Sequence, residues 1–557
     1  MEKTRKKNAV TLHITTFKAH ETLLYCPECK RIYGSEKLHK LIASGCKFGY
    51  DVMGYVGRAM FISCRNEKEI KLELAGKHHL IISKREISYL AKKFIVYLSL
   101  AHRENAKKIK NLMNENGGYI LHLDASCEGE SPHLLSAMDG ITEIVLQNAL
   151  VSSEKAEKII PFLQEIKQLY GNPLALVHDM GRAILKAVKK VFPTIIDLIC
   201  HWHFLADLGK DLFGGENDTI RKQLSNLGIQ GRLRKRAAEC KGVIDENPHL
   251  VESLVKSLKE KTIQKRMLNL MPVAAAYSGV LWALAGKKLG KGYGFPFDRP
   301  YLTFYERLEV LYSTLRQLNA ITLSNDRKDN KPYVKIIRDL HETMEDKILR
   351  KAAGRMQEKN AVFDKLRDAM RIAVPEGKRG LNDRGDEEDI RTIEKRVEKF
   401  CEWLSNHETF SKEEDYKKML DQIKKYWNKL FSDPIVVDTP KGKITIQPQR
   451  TNNILERLFR EVKRSYRKKS GTKALGRVMR AMLADMPFVR NLDNPEYMKI
   501  ILNGKETLEE MFAEIDIKIV RKQMSMLENQ PEKIPWQIKK IIQQPDLPKA
   551  LVALFTN

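Results

Sequence analysis

Apolar and polar positions follow two regimes along this chain. Between residues 117 and 213, short apolar runs are separated by turn residues: YILHLD, HLLSAM, ITEIVLQ, PLALVHD and TIIDLIC each have the length of a strand. Two helical stretches interleave with them. One covers about 153–170, with Ile159, Phe162, Leu163, Ile166 and Tyr170 on one side and Pro161 starting or kinking it. The other, GRAILKAVKKVF, stops at Pro193. Asp139-Gly140, between HLLSAM and ITEIVLQ, is the signal for a two-residue type I′ hairpin. The order β-β-β-α-β-α-β-α mixes a hairpin with right-handed parallel crossovers, which predicts an α/β core with a mixed sheet.

Elsewhere the period is helical. SKREISYLAKKF places Ile87, Leu90, Ala91 and Phe94 on one face, with Ser83 as N-cap, and a second helical run ends at Gly117-Gly118. This pair reads as a helix-turn-helix-like DNA-binding segment or as a small helical linker. From 215 to about 440 the runs are long and charged, as in TFYERLEVLYSTLRQLNAI and RTIEKRVEKFCEWLSN, and predict an all-α body. Trp282 there reads as a core residue of an apolar helix, with DNA stacking as the bolder alternative. PEGKRGLNDRGDEED (375–389) has linker composition, and VVDTPKGKITIQ predicts an extended pair around a Pro-Lys-Gly turn. The expected division is 1–80, 81–116, 117–214, 215–440, 441–490 and a helical 491–557.

Charge narrows the partners. The 557 residues exceed one ordinary core, and 98 basic against 71 acidic residues give a net +27. Such an excess predicts a polyanion, because each neutralised phosphate releases counterions. Membrane is the competing polyanion, but MEKTRKKNAV has no apolar segment behind it. The longest apolar stretch, 274–286, is shorter than the roughly 20 residues a spanning helix needs. Eight scattered cysteines predict a reducing cytoplasm. Cys26 and Cys29 form a CPEC knuckle of the kind that seats Zn²⁺; its only nearby completers are His39, Cys46 and Cys64, and the competing reading is a decayed ribbon with reduced thiols.

Three acids carry the chemistry. Asp124 and Asp179 each close an apolar strand, and Glu456 opens the basic helix of TNNILERLFREVKR. Singly each has an ordinary reading. Asp124 suits an Asx-turn, Asp179 an N-cap, and Asn453 with Glu456 a capping box. Jointly, two aspartates at neighbouring parallel strand ends and a third carboxylate repel one another unless a divalent cation, Mg²⁺ or Mn²⁺, relieves them. The stretch 451–480 holds ten cations and two acids, net +8 (10 − 2). Arg457, Arg460, Lys463, Arg464, Arg467 and Lys468 are therefore the expected contacts to DNA phosphates, rather than an ordinary solvated face. For Cys200 and His203 in CHWHFLADLGK the residues alone suggest a small buried thiol and a packed imidazole.

With LHLDAS, LVHDMG, CHWHFLADLGK and TNNILERLFREVKRSYRKKSG in that order, the chain resembles a DDE-type transposase of a bacterial insertion sequence, in the group related to Mutator-like elements. The matching contexts lie within 117–213 and 440–480. The resemblance implies an RNase H-like catalytic core interrupted by a helical insertion. It implies Asp124, Asp179 and Glu456 as the metal-binding catalytic triad, Cys200 and His203 as residues bracing it, and a small N-terminal DNA-binding region. It further implies double-stranded DNA, both element ends and target, as partner, a homo-oligomer assembled on that DNA, and a nucleoid-associated place in the cytoplasm. The alternatives are another RNase H-like nuclease or a non-catalytic DNA-binding regulator derived from a transposase.

Overall fold

The chain opens with an antiparallel ribbon, β1 (Glu2–Thr11) and β2 (Thr15–Tyr25), with the short β3 (Ile32–Tyr33) at its edge. This computed structural model describes residues 2–30, 32–261, 271–288, 290, 292–322, 331–373, 389–471, 475–528 and 536–556. Helices Tyr50–Phe61, Glu67–His78, Lys84–Glu104 and Ala106–Glu115 follow. Ser83 caps as expected, its hydroxyl accepting from the Glu86 amide at 3.2 Å.

Within the segment 81–116, the second half of the helix Lys84–Glu104 is enclosed, while Lys84, Arg85, Lys92, Lys107 and Lys108 are exposed. Every residue from Lys93 to His102 is buried. Phe94 and Tyr97 meet Phe512 with ring centres 5.7 and 5.3 Å apart. Gly57 is required for this packing, because a Cβ there would lie 2.2 Å from the Phe94 ring. One hydrophobic cluster runs through these helices, the main sheet and the C-terminal helices Pro495–Leu502 and Leu508–Glu514. Each fully buried aromatic or aliphatic side chain contributes about 1.5–3 kcal/mol, so this helix is the axis of a core.

The main sheet contains β4 (Ile120–Ser126), β5 (His133–Asp139), β6 (Val145–Val151), β7 (Ala175–His178) and β8 (Ile196–Ile199). Their order is β6-β5-β4-β7-β8; β4 pairs antiparallel with β5 and parallel with β7, and β7 pairs parallel with β8. Helices Ala156–Tyr170, Arg182–Val191 and His201–Asn226 complete the expected β-β-β-α-β-α-β-α order. The β5–β6 turn differs from the expected two-residue type. Asp139 belongs to β5, and its carboxylate accepts from the amides of Ile120, Ile141 and Thr142 and from the Thr142 hydroxyl. These four donors hold a longer loop, in which Glu143 rather than Gly140 takes a positive φ, of 54°.

A second hydrophobic cluster spans Ile199 to Phe431 and consists almost wholly of helices, ending with Glu414–Leu430. The helical body begins earlier than residue 215, since Phe204, Leu205, Leu208 and Leu212 already pack into it. Trp282 is 43% exposed, with the Arg307 guanidinium 4.4 Å from its ring centre, which corrects the core reading. Most of the linker-like 375–389 lies outside the described residues. The extended pair is present as the hairpin β9 (Ile435–Thr439) and β10 (Gly442–Ile446). The helix Asn453–Ser470 follows and ends at Gly471, whose φ of 65° suits glycine. Among the described residues no helix is long and apolar enough to cross a membrane.

Candidate active site and metal centre

The parallel register aligns three strand ends. Leu123 of β4 pairs with His178 of β7, and His178 with Ile199 of β8. One step further, Asp124, Asp179 and Cys200 therefore stand side by side at the carboxyl edge of the sheet. Helices starting just beyond this edge leave it open, which is where open α/β sheets collect ligands.

Asp124 is only 5% exposed. Its Oδ1 accepts from the Ala125 amide at 2.8 Å, while Oδ2 is buried with no hydrogen-bond partner among the described residues. Burial pushes this carboxyl up to about 7; His203 opposes the rise, and Asp179 and Glu456 add to it. Asp179 is half-buried and forms an Asx-turn, its Oδ1 accepting from the Gly181 amide at 3.0 Å. It is not an N-cap: Gly181 holds that position in the helix Arg182–Val191. Behind Asp179, the buried His178 ring lies 2.5 Å from the Asp179 carbonyl and 2.6 Å from the Asp197 carboxylate. Asp197 pairs in turn with Lys429, from the last helix of the helical body.

Glu456 reaches the site from the helix Asn453–Ser470. The expected capping box does not form, because Asn453 is already helical and the N-cap is Asn452. Glu456 is exposed, and among the described residues no hydrogen bond or ion pair engages its carboxylate. Asn452, 1% exposed, locks this helix onto the sheet. Its Oδ1 faces His122 Nδ1 at 2.9 Å, its Nδ2 donates to the Leu123 carbonyl at 2.9 Å, and its amide donates to Cys200 Sγ at 3.4 Å. Its own carbonyl accepts from the Leu455 and Glu456 amides, both at 3.0 Å. The strand of Asp124, the end of β8 and the helix of Glu456 thus meet at one residue, through its side chain and its backbone.

His203 lies in the first turn of the helix His201–Asn226, edge-on to Trp202 at 4.9 Å. Its Nδ1 is buried without a partner among the described residues. Burial pulls its pKa down, but Cys200, Asp124 and Asp179 outweigh this and raise it to about 10. Ligand atoms of Asp124, His203 and Glu456 lie within 4.8 Å of one another, the only such group of three among the described residues. Asp179 falls outside this trio but acts on both buried members. An orphaned carboxylate oxygen and an orphaned ring nitrogen beside a free carboxylate are donors suited to a divalent cation. His203 and Glu456 line a cleft of about 550 Å³ whose walls also include Trp202, Gly292, Tyr293, Asn452, Arg457 and Arg460.

Of the expected phosphate contacts, Arg460, Arg464, Arg467 and Lys468 are exposed, and none is in an ion pair among the described residues. Lys463 is half-buried, and Arg457 is held by Glu143 at 3.0 Å. At the N-terminus, Cys26 and Cys29 gather no third metal ligand among the described residues. The thiol of Cys46 lies 2.9 Å from Lys93 Nζ, Cys64 bonds the Ile62 carbonyl, and His39 pairs with Glu21 at 3.3 Å.

Asn452, His122, His178 and Tyr293 were not singled out from the sequence. His122 and His178 left a trace there: a histidine inside the apolar runs YILHLD and PLALVHD must find a partner when buried. No protein-family profile and no curated protein matches the chain. Among solved structures that do align is the Drosophila P element transposase strand transfer complex, at 9% identity, over 85% of this chain and 97% of that one, with a TM-score of 0.30. At that score the likeness carries no argument about fold or activity.

Proposed function

We propose that this chain is a DDE-type transposase, related to those of bacterial insertion sequences, that cleaves double-stranded DNA at element ends and joins the ends to target DNA. The observation that carries the reading is the approach of Glu456, from a helix far along the chain, to Asp124 at the carboxyl edge of the sheet, where Asp179 ends the neighbouring parallel strand. The strand order and the helical body between Asp179 and Glu456 support an RNase H-like core with an insertion. A divalent ion, Mg²⁺ or Mn²⁺, bound by the carboxylates would neutralise charge on the reacting phosphate and activate the attacking oxygen.

The chain's residues do the rest. Asp124, rigid in its strand, supplies a fixed acceptor, and Glu456, exposed on a clamped helix, supplies a second that can adjust. Cys200 braces them by accepting the Asn452 amide. Arg460, on the cleft wall, and Arg464, Arg467 and Lys468 along the same helix hold the DNA backbone. Hydrolysis and strand transfer share the site because both are phosphoryl transfers that differ only in nucleophile. We assign residues 117–200 and 441–490 to the core, the helical body from His201 to about 440 to the insertion and the N-terminal region to DNA binding, with the active form a homo-oligomer on DNA.

The test is cleavage and joining of DNA carrying the element's terminal sequences, with Mg²⁺ or Mn²⁺, by the wild type and by Asp124→Asn, Asp179→Asn and Glu456→Gln. Each variant should bind DNA and fail to cut. Cutting by any of them removes that acid from the site, and a wild type that binds but never cuts supports the DNA-binding regulator instead.

A further inference from the structure

We propose that His203 is itself a ligand of the divalent ion, so that the centre is a mixed nitrogen–oxygen site of Asp124, His203 and Glu456, with Asp179 alongside. This rests on the metal-dependent reading above but does not follow from it, since three carboxylates would suffice for that chemistry. Two donors on one ion, each about 2.0–2.2 Å from it, are at most about 4.4 Å apart. The 4.8 Å span of the trio is therefore a few tenths of an ångström from ligation distance.

A second observation comes from the unsatisfied atoms. Asp124 Oδ2 and His203 Nδ1 are both buried and both without a hydrogen-bond partner among the described residues. A buried polar atom left unpaired costs roughly 1–3 kcal/mol, and one cation between these groups would satisfy both. The ring is also held in place, as ligating histidines are. It springs from a helix that starts directly at the strand end, with the Trp202 ring edge-on to it and the Cys200 thiol acting on it. Glu456 contributes the third donor from an exposed carboxylate that can move without breaking a protein contact.

An imidazole in the donor set changes which ion is preferred. Oxygen donors suit Mg²⁺ and Mn²⁺ alike, whereas an imidazole donor suits transition ions, of which Mn²⁺ is the weakest binder, better than Mg²⁺. The chain should therefore bind Mn²⁺ well above Mg²⁺. His203→Gln should weaken Mn²⁺ by at least the roughly 10–100-fold that loss of even an outer partner costs a metal site. Mg²⁺ binding should change much less.

The decisive measurement is pulsed electron paramagnetic resonance of the full chain loaded with Mn²⁺, which detects directly bound nitrogen and needs no turnover. Wild type should show an imidazole nitrogen coupling that changes on ¹⁵N-histidine labelling and is absent from His203→Gln. Mn²⁺ bound in an Asp124-dependent manner with no nitrogen coupling overturns the assignment of His203 and leaves the carboxylate centre standing. Coupling that persists in a folded His203→Gln overturns it too. If His203→Gln does not fold, the labelled wild type decides alone. Wild type that binds no Mn²⁺ in a manner sensitive to Asp124→Asn overturns both this assignment and the metal-dependent function.

Discussion

Replacing Asn452 by alanine should unfasten the helix of Glu456 from the sheet. The substitution removes the acceptor facing His122 Nδ1 and the donor to the Leu123 carbonyl, and both survivors are buried. Each unsatisfied group costs about 1–3 kcal/mol, so the junction should lose about 2–6 kcal/mol. The loss is concentrated on one ring, because His122 Nε2 already has no partner among the described residues. The assay is native-state hydrogen exchange at the Leu455 and Glu456 amides, which report local opening of the first helical turn. At about 1.4 kcal/mol per factor of ten, exchange should accelerate about 30-fold to about 10⁴-fold. The helix Lys84–Glu104, outside the junction, should keep its protection. Cleavage should fall by about 100-fold or more, since a displacement of about 1 Å at a reacting centre is enough for that. Unchanged exchange at Leu455 and Glu456 would refute the clamp; faster exchange with undiminished cleavage would refute its link to the site.

Glu456→Gln should abolish cleavage while changing stability by no more than about 0.5 kcal/mol, because the carboxylate is exposed and does not cap the helix; thermal melts beside the cleavage assay check this. Asp124 and His203 both have raised folded-state pKa values, about 7 and about 10, so the metal-free native state holds more protons than the unfolded chain near neutrality. Its stability should therefore fall as pH rises from 6 to 8, and binding a divalent ion should release protons, seen as heats of binding that vary with buffer ionisation; buffer-independent heats would contradict the raised values. Replacing Arg464, Arg467 and Lys468 with alanine should flatten the salt dependence of DNA binding by roughly 3 units of log K per log salt, at about 0.9 per phosphate contact. An unchanged slope in a salt titration would make them a solvated face.

The core of the fold was legible because buried parallel strands are written as short apolar runs, and Asp124 and Asp179 stood out as charges closing two of them. Glu456 was legible through its neighbours, the cations along one helix. The N-terminal ribbon was not, since KTRKK puts polar residues on both faces and leaves no period-two apolar signal. The burial of Lys84–Glu104 was missed for the opposite reason. Its first half is amphipathic, and only the continuous IVYLSLA beyond Phe94 shows a helix apolar all round, hence central. Asn452 was missed because a single asparagine before a helix looks like any cap. What distinguishes it is a partner 330 residues away, His122, and no local pattern encodes that distance.

That distance also sets a timetable. Asp124, Asp179 and His203 leave the ribosome within 79 residues of one another (203 − 124), but Glu456 lies 277 residues (456 − 179) behind Asp179. At about 5–20 residues per second, its helix arrives roughly 14–55 seconds later. Through that interval the sheet has an open carboxyl edge, and the helical body can fold on its own cluster without Asn452 to bind β4 and β8 together. A chain broken off between residues 214 and 451 would retain the strand-end aspartates, yet lack Glu456 and the clamp. Synthesis from one end thus makes Glu456 the last of the four to appear, with the core helices Pro495–Leu502 and Leu508–Glu514 still to follow.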